Sequence, residues 1–205
     1  MTTRKTPASA HRVCVFGGTF DPIHNAHLQI ATEAVSKFQL DRVLFVPAAN
    51  PPHKQASQMT PFEHRFRMVE LACEGRAIFE PSRLEEGEGT SYSIDTVERL
   101  KPSLNPGDSL YFLIGSDAFD EIDTWHRWQD LVRAVEFIVV SRPGAHFRVP
   151  PGARVHTLEG LALQVSSTDV RERLARRQQT PELPAAVRAY IDANCLYSAC
   201  AGEMP

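Results

Sequence analysis

The stretch Gly17–His27, GGTFDPIHNAH, combines residue types that could together bind a phosphate group. It follows the apolar segment Arg12–Phe16, which predicts a buried strand. The paired glycines would let a ligand approach the backbone where that strand ends. A helix starting near His24 would present free amides and the positive end of its dipole at the same place. His24 and His27 share one face of this helix and add hydrogen-bond donors, so the pattern predicts an anion site.

Taken alone, this stretch leaves two other interpretations open. A Gly-Gly turn is common, and two histidines at this spacing could be surface residues or half of a metal site. A zinc site needs further ligands, but His53 and His64 fall in an extended loop and in a different predicted helix. We therefore expect no zinc site and no metal ion held by the protein itself.

The composition is that of a globular protein without a general affinity for nucleic acid. Of the 205 residues, 42% are hydrophobic and 23% are charged, and the net charge is −3, so no overall positive field attracts nucleic acid. The N-terminal MTTRKTPASAHR is polar, and no apolar run approaches the ~18 residues of a membrane helix, so we expect neither a signal peptide nor a membrane partner. Cys14, Cys73, Cys195 and Cys200 form no C-x-x-C pair, which favours reduced thiols and a cytoplasmic protein.

Strand-like and helix-like segments alternate along the chain. RVLFVP (Arg42–Pro47), SLYFLIG (Ser109–Gly115) and EFIVVSR indicate buried strands, and AIFEPS, ARVHTL and ALQV indicate shorter ones. One of the intervening helices is expected to open with a capping box between Thr60 and Glu63, with Pro61 at its first position.

This alternation predicts a single α/β domain with a Rossmann-like, doubly wound, mainly parallel sheet and helices on both faces. Such sheets bind ligands at the carboxyl ends of their strands. We place the domain at residues 12–198, after a flexible extension at 1–11 and before a tail at 199–205.

The ordered series of motifs resembles the bacterial nicotinate-nucleotide adenylyltransferases of the HxGH nucleotidylyltransferase superfamily. GGTFDPIHNAH is similar to the GGTFDPxHxGH signature, and the likeness runs from Val13 to Tyr197. The further segments, in the family's order, are VPAANPPHK, TSYSIDTVERL, LIGSDAF with TWHRW, VVSRPG, VSSTDVRERL and VRAYIDANCLY. One residue departs from the signature, because Ala26 stands where the family has glycine. Its methyl group could crowd the adenosine, while it favours the helix by up to ~1 kcal/mol.

The resemblance implies that the adenylyl group of ATP is transferred to nicotinate mononucleotide, giving deamido-NAD and pyrophosphate in NAD biosynthesis. It assigns the catalytic role to His24 and His27. The implied ATP- and phosphate-binding residues are Gly17, Gly18, Thr19, Phe20, Lys54, Arg142, Ser167, Thr168 and Arg171. The implied residues for nicotinate mononucleotide are Thr90, Ser91, Tyr92, Asp117, Trp125 and His126. Mg²⁺ would accompany ATP, held by phosphate oxygens and water.

Some of these residues also have simpler interpretations. Ser167 and Thr168 could be ordinary helix caps, and Trp125 could be a core aromatic, although its place after Asp123-Thr124 suggests a helix start at the mouth of a crevice.

Alternative functions are also open: another HxGH enzyme acting on nicotinamide mononucleotide or pantetheine phosphate, or a nucleotide-binding sensor weakened by Ala26. The retained histidines argue against the sensor, and TSYSIDT argues against the pantetheine enzymes. A homo-oligomer is left open.

Overall fold

The computed structural model describes residues 10–52, 59–87, 89–142, 144, 146–159 and 165–197. Within them strands and helices alternate, as the sequence predicts. The strands are β1 (Arg12–Gly18), β2 (Arg42–Pro47), β3 (Phe79–Pro81), β4 (Ser109–Gly115), β5 (Glu136–Ser141) and β6 (Arg154–Glu159). The helices are α1 (Asn25–Phe38), α2 (Phe62–Cys73), α3 (Ser93–Leu100), α4 (Ser116–Asp120), α5 (Trp128–Ala134), α6 (Ser167–Ala175) and α7 (Ala185–Ala193). Short 3₁₀ turns lie at Lys101–Ser103 and Ile122–Thr124.

The strands form one parallel sheet in the order β3-β2-β1-β4-β5-β6, which confirms the doubly wound α/β fold. The chain builds the sheet outward in one direction from β1 and in the other from β4. A crevice therefore opens between the carboxyl ends of these two neighbouring strands. Gly18 ends β1 and Gly115 ends β4, so the fold brings the glycine turn to that crevice.

Side chains of the central strands alternate between two buried apolar layers. Cys14 and Phe16 of β1 pack in the layer that contains α1, α2, α6 and α7, whereas Val13 and Val15 pack with α3, α4 and α5. Because both faces are covered, β1 is a continuous apolar run in the sequence. Cys14 and Cys73 are buried as predicted, and burial raises the pKa of Cys73 to about 12, so its thiol is unreactive.

The start of α2 differs from the sequence prediction. Pro61 is its N-cap residue and no side chain caps it, so the predicted capping box is wrong. Both proposed partners are engaged elsewhere. Thr60 donates its backbone N–H to a carboxylate oxygen of Asp21 at 3.2 Å, and Glu63 pairs with Arg83 at 2.8 Å.

The position of Trp125 is a second correction. It does not start a helix; its N–H donates to the carbonyl of Ile122 and closes the short 3₁₀ turn. Arg127 then adopts a left-handed conformation with φ of 50°, and α5 begins only at Trp128. Most of the predicted ALQV strand, residues 162–164, lies outside the described residues. Among the helices that are described, none has the length and apolarity needed to cross a bilayer.

Candidate active site

The turn after β1 holds an unusual backbone conformation at Phe20. Its φ is 47°, in a region that costs a residue other than glycine about 1–2 kcal/mol. Burial of the ring offsets this cost, since it packs edge-on against Phe16 at 5.5 Å and His27 at 5.1 Å between ring centroids. A Cβ on Gly18 would lie 3.1 Å from the same ring. A side chain at position 18 would therefore displace the Phe20 ring by a few tenths of an ångström, and glycine avoids this displacement.

The two histidines of the signature stack on each other at the start of α1. Their ring centroids are 3.7 Å apart and the rings are inclined by 24°. His24 is the N-cap residue and is only 4% exposed, while His27 lies in the first turn and is partly buried. The backbone N–H of His24 donates to Nδ1 of His27 at 3.2 Å. Because Nδ1 accepts this bond, neutral His27 carries its proton on Nε2 and can donate it to a ligand.

Both imidazoles are held neutral at pH 7. Burial lowers the pKa of His24 to about 4, against the opposing effect of Glu182. Burial also lowers the pKa of His27 well below its ordinary value, and any positive charge on His24 lowers it further. Nδ1 of His24 is buried and has no hydrogen-bond partner among the described residues. A buried ring nitrogen left unpaired beside a helix N-terminus is suited to meet a ligand.

Acidification is expected to destabilise the substrate-free protein, because buried His24 must gain a proton on unfolding. The folded pKa is about 4 and the ordinary value is 6.5, so the unfolded chain binds more protons between these values. This stabilisation is complete above the ordinary value and is lost as the pH falls toward the folded one. From pH 7 to pH 5 the loss through His24 is about 2 kcal/mol. Thermal unfolding of the wild type and of His24→Asn at both pH values tests this, and an equal fall in Tm for the two would contradict it.

Part of the predicted set of free helix amides is already used. The N–H of Asn25 donates to the carbonyl of Glu182 at 2.7 Å, so it is not available to an anion. The N–H of Ala26 has no protein acceptor among the described residues. At α6, Ser166 is the cap residue and accepts from the N–H of Asp169 at 3.1 Å. The simple capping role considered for Ser167-Thr168 thus belongs to the residue before them.

Side chains at the start of α6 hold it against the turn after β1. Oγ of Ser167 donates to the carbonyl of Pro22 at 3.0 Å, and Nη1 of Arg171 donates to the carbonyl of Asp21 at 2.7 Å. Nη2 of Arg171 also reaches Oγ1 of Thr168 at 3.3 Å. The structure therefore brings these three predicted residues together with the signature turn.

A cavity of about 610 Å³ lies at the carboxyl ends of β1 and β4. Its lining includes Gly17, Gly18 and Thr19 of the signature turn and Ser91, Tyr92, Trp125 and His126, whereas His24 and His27 are not among the lining residues. The rings of Tyr92 and His126 are 4.3 Å apart, and Trp125 lies edge-on to Phe112 at 6.4 Å. This one cavity joins the residues that the sequence assigned to two different substrates.

Other predicted residues lie apart from this cavity. Asp117 is exposed on α4 and does not line the cavity, although its neighbour Ala118 does. Thr90 lines a smaller adjoining cavity of about 50 Å³. Arg142 is exposed just after β5, and Lys54 lies outside the described residues.

Two buried residues, Asp21 and Arg65, and the partly buried Tyr197 lie near the site and were missed by sequence reasoning. Asp21 is 3% exposed and accepts hydrogen bonds from the Tyr197 hydroxyl at 2.5 Å and from the N–H of Thr60. Burial, reinforced by the Asp21 charge, raises the pKa of Tyr197. Arg65 is 1% exposed. The available signal was its place beside Phe66 on the apolar stripe of α2, where a charged residue needs a buried partner.

Ala26→Gly is expected to lower or preserve the KM for ATP, because Ala26 is 5% exposed and lies next to the stacked histidines. Removing its methyl group relieves crowding near the nucleotide and costs up to ~1 kcal/mol of helix stability. Steady-state kinetics and thermal unfolding of this variant measure both effects. A large rise in KM would instead mean that the pocket is shaped around the alanine.

The parallel sheet, the glycine turn and the histidine pair define a nucleotidyltransferase of the cytidylyltransferase-like family, whose sequence model matches residues 15–173. A protein of Solibacter usitatus named probable nicotinate-nucleotide adenylyltransferase is 52% identical over 91% of this chain and 100% of its own length. The nicotinate-nucleotide adenylyltransferase of Bacillus subtilis is 39% identical over 91% of this chain and 98% of its own. The chain therefore belongs to the nicotinate-nucleotide adenylyltransferase family.

A solved structure has the same fold. The Plasmodium falciparum nicotinic acid mononucleotide adenylyltransferase complexed with NaAD superimposes with a TM-score of 0.75, over 91% of this chain and 97% of that chain. Its sequence identity is 22%, so this likeness concerns the fold alone.

Proposed function

We propose that this protein transfers the adenylyl group of ATP to nicotinate mononucleotide, with deamido-NAD and pyrophosphate as products. The observation that carries this proposal is the single cavity beside the signature turn. Its lining includes Gly17, Gly18 and Thr19 of the turn that leads to the stacked histidines, which suit phosphates. It also includes the aromatic rings of Tyr92 and Trp125, which suit a pyridine ring. A site that joins two nucleotides into one product must offer both environments within one cavity.

The reaction requires alignment of the two substrates and does not require a nucleophile from the protein. An oxygen of the mononucleotide's 5′-phosphate attacks the α-phosphorus of ATP, and the bond to the leaving pyrophosphate breaks. Because the substrates bring both the nucleophile and the leaving group, the protein positions them and stabilises the negative charge. Nε2–H of His27 and the amide of Ala26 supply donors beside the turn, and Arg171 supplies a positive charge at α6.

Mg²⁺ enters this proposal with ATP rather than as a resident metal. Among the described residues, no group of three or more His, Cys, Asp or Glu side chains is arranged to hold a metal ion. Oxygen atoms of the phosphates and water suit Mg²⁺ as ligands, and its charge would offset that of the triphosphate.

Pyrophosphate release with ATP and each of three acceptors tests the function. We expect the highest kcat/KM with nicotinate mononucleotide, and lower values with nicotinamide mononucleotide and pantetheine phosphate. Turnover of only one of the latter two would assign the protein to a sister activity. ATP binding without pyrophosphate release in the presence of any acceptor would support the sensor, with Ala26 as its altered residue.

A further inference from the structure

Arg65 is the largest fully buried side chain among the described residues, and it carries a charge. It lies in the first turn of α2 and is 1% exposed. Its hydrogen-bond acceptors are four carbonyl oxygens rather than carboxylates. Burying a cation is expensive, and here the cost is offset by these four hydrogen bonds and by the nearby negative charge of Asp21.

The guanidinium joins the ends of two neighbouring strands. Nη1 donates to the carbonyl of Thr19 in the loop after β1 at 2.8 Å, and to the carbonyl of Ala48 in the loop after β2 at 2.7 Å. Nη2 donates to Ala49 at 3.3 Å, and Nε donates to Thr60 at 2.8 Å. A planar group with donors fixed in a fork thereby sets the two loops relative to each other.

The bond to Thr19 also orients the next amide. In a trans peptide the carbonyl and the following N–H point in opposite directions, so the N–H of Phe20 is turned away from Arg65. In the part of the chain that is described, no protein acceptor takes this N–H. It is therefore available to an anion at the glycine turn.

The bond to Ala49 connects Arg65 to the loop that contains Ser91. The N–H that follows its carbonyl belongs to Asn50 and donates to Oγ of Ser91 at 3.1 Å. The carbonyl of Asn50 accepts from the N–H of Ser91 at 2.9 Å. Ser91 and Tyr92 line the cavity, so Arg65 is connected through these hydrogen bonds to a loop that forms part of the cavity wall.

We infer that Arg65 is a positioning residue that sets the phosphate turn and the pyridine-side loop at once, an inference that rests on the proposed function. It touches neither substrate and acts through the peptide groups it binds. Lysine cannot replace it, because one ammonium group lacks the planar fork that spans both loops. The loss must therefore appear for both substrates together and must exceed what the loss of stability alone would cause.

The test compares Arg65→Lys and Arg65→Met with two controls on the same helix. Val69→Ala removes a buried side chain of the core, and Arg67→Met removes an exposed arginine that pairs with Glu70. Thermal unfolding and pyrophosphate-release kinetics are measured for each, with KM for both substrates. We expect Arg65→Lys to lower kcat/KM by about tenfold or more and to raise both KM values. Its preference for nicotinate over nicotinamide mononucleotide should also fall, while Val69→Ala loses Tm but keeps its kinetic constants.

Wild-type kinetics and preference in Arg65→Lys would overturn the inference. So would a loss of activity equal to that of Val69→Ala at the same loss of Tm, because Arg65 would then be merely structural. If Arg65→Met fails to fold, Arg65→Lys, which keeps the charge, decides the question. An inactive wild type would refute the proposed function instead, and the two failures are thus distinguishable.

Discussion

Replacing His27 with alanine is expected to lower kcat by about 100- to 1,000-fold while the protein remains folded. His27 is fixed by the hydrogen bond from the His24 amide, which leaves the proton on Nε2. A pre-oriented donor beside the phosphates is most effective in the transition state, when charge accumulates there. Alanine removes both this donor and the stacked ring.

His156 provides a matched control for this experiment. It lies on β6, away from the signature turn, and pairs with Glu136 at 2.8 Å, so His156→Ala should keep most of its kcat. His27→Asn separates the two roles of the ring, since its amide oxygen can still accept from the His24 backbone. Retention of most of the kcat in His27→Ala would mean that the two histidines serve the packing of the turn and not the reaction.

A preference for nicotinate over nicotinamide mononucleotide of at least ~100-fold in kcat/KM is the second large effect expected. A carboxylate only accepts hydrogen bonds, whereas a carboxamide would turn its own NH₂ toward a donor. The family resemblance implies that the backbone amides of Thr90 and His126 make this contact, and neither donates to a protein acceptor among the described residues. Kinetics with both mononucleotides measure the preference directly.

Trp125→Ala should raise the KM for the mononucleotide much more than the KM for ATP. Both tryptophans pack against the same apolar layer, but Trp125 also lines the cavity and Trp128 does not. Trp128→Ala is therefore the matched control, and it should lower Tm without separating the two KM values. Equal turnover of the two mononucleotides would refute this pocket, even if adenylyl transfer itself were observed.

The sheet and the crevice could be predicted from the sequence because both depend on patterns of a few neighbouring residues. The apolar run of β4 and the glycine turn after β1 each lie within a few neighbouring residues. Trp125 was misplaced because a 3₁₀ turn and a left-handed residue precede α5, and neither has a strong sequence pattern. The limits of the domain and the roles of the individual site residues stay predictions.

The hydrogen bonds that hold the signature turn in place could not be predicted, because they join residues far apart in the chain. Arg65 meets Thr19 across 46 positions, and Tyr197 meets Asp21 across 176. No periodicity specifies such a pair, since it depends on how the layers finally pack. An arginine on the apolar stripe of α2 was a visible anomaly, but its partners are backbone carbonyls, which every residue has.

The hydrogen bond between Tyr197 and Asp21 has a consequence for folding during synthesis. The signature turn is synthesised well before the groups that secure it, because Tyr197 follows Asp21 by 176 positions. Asn25 at the start of α1 depends on a similarly distant segment. Its side-chain Nδ2 donates to the carbonyl of Pro181, and its backbone N–H donates to the carbonyl of Glu182. A nascent chain can therefore contain every strand and both histidines while its phosphate turn is still unsecured. Chains truncated before Pro181 lack the groups that secure the turn, so they should not consume ATP.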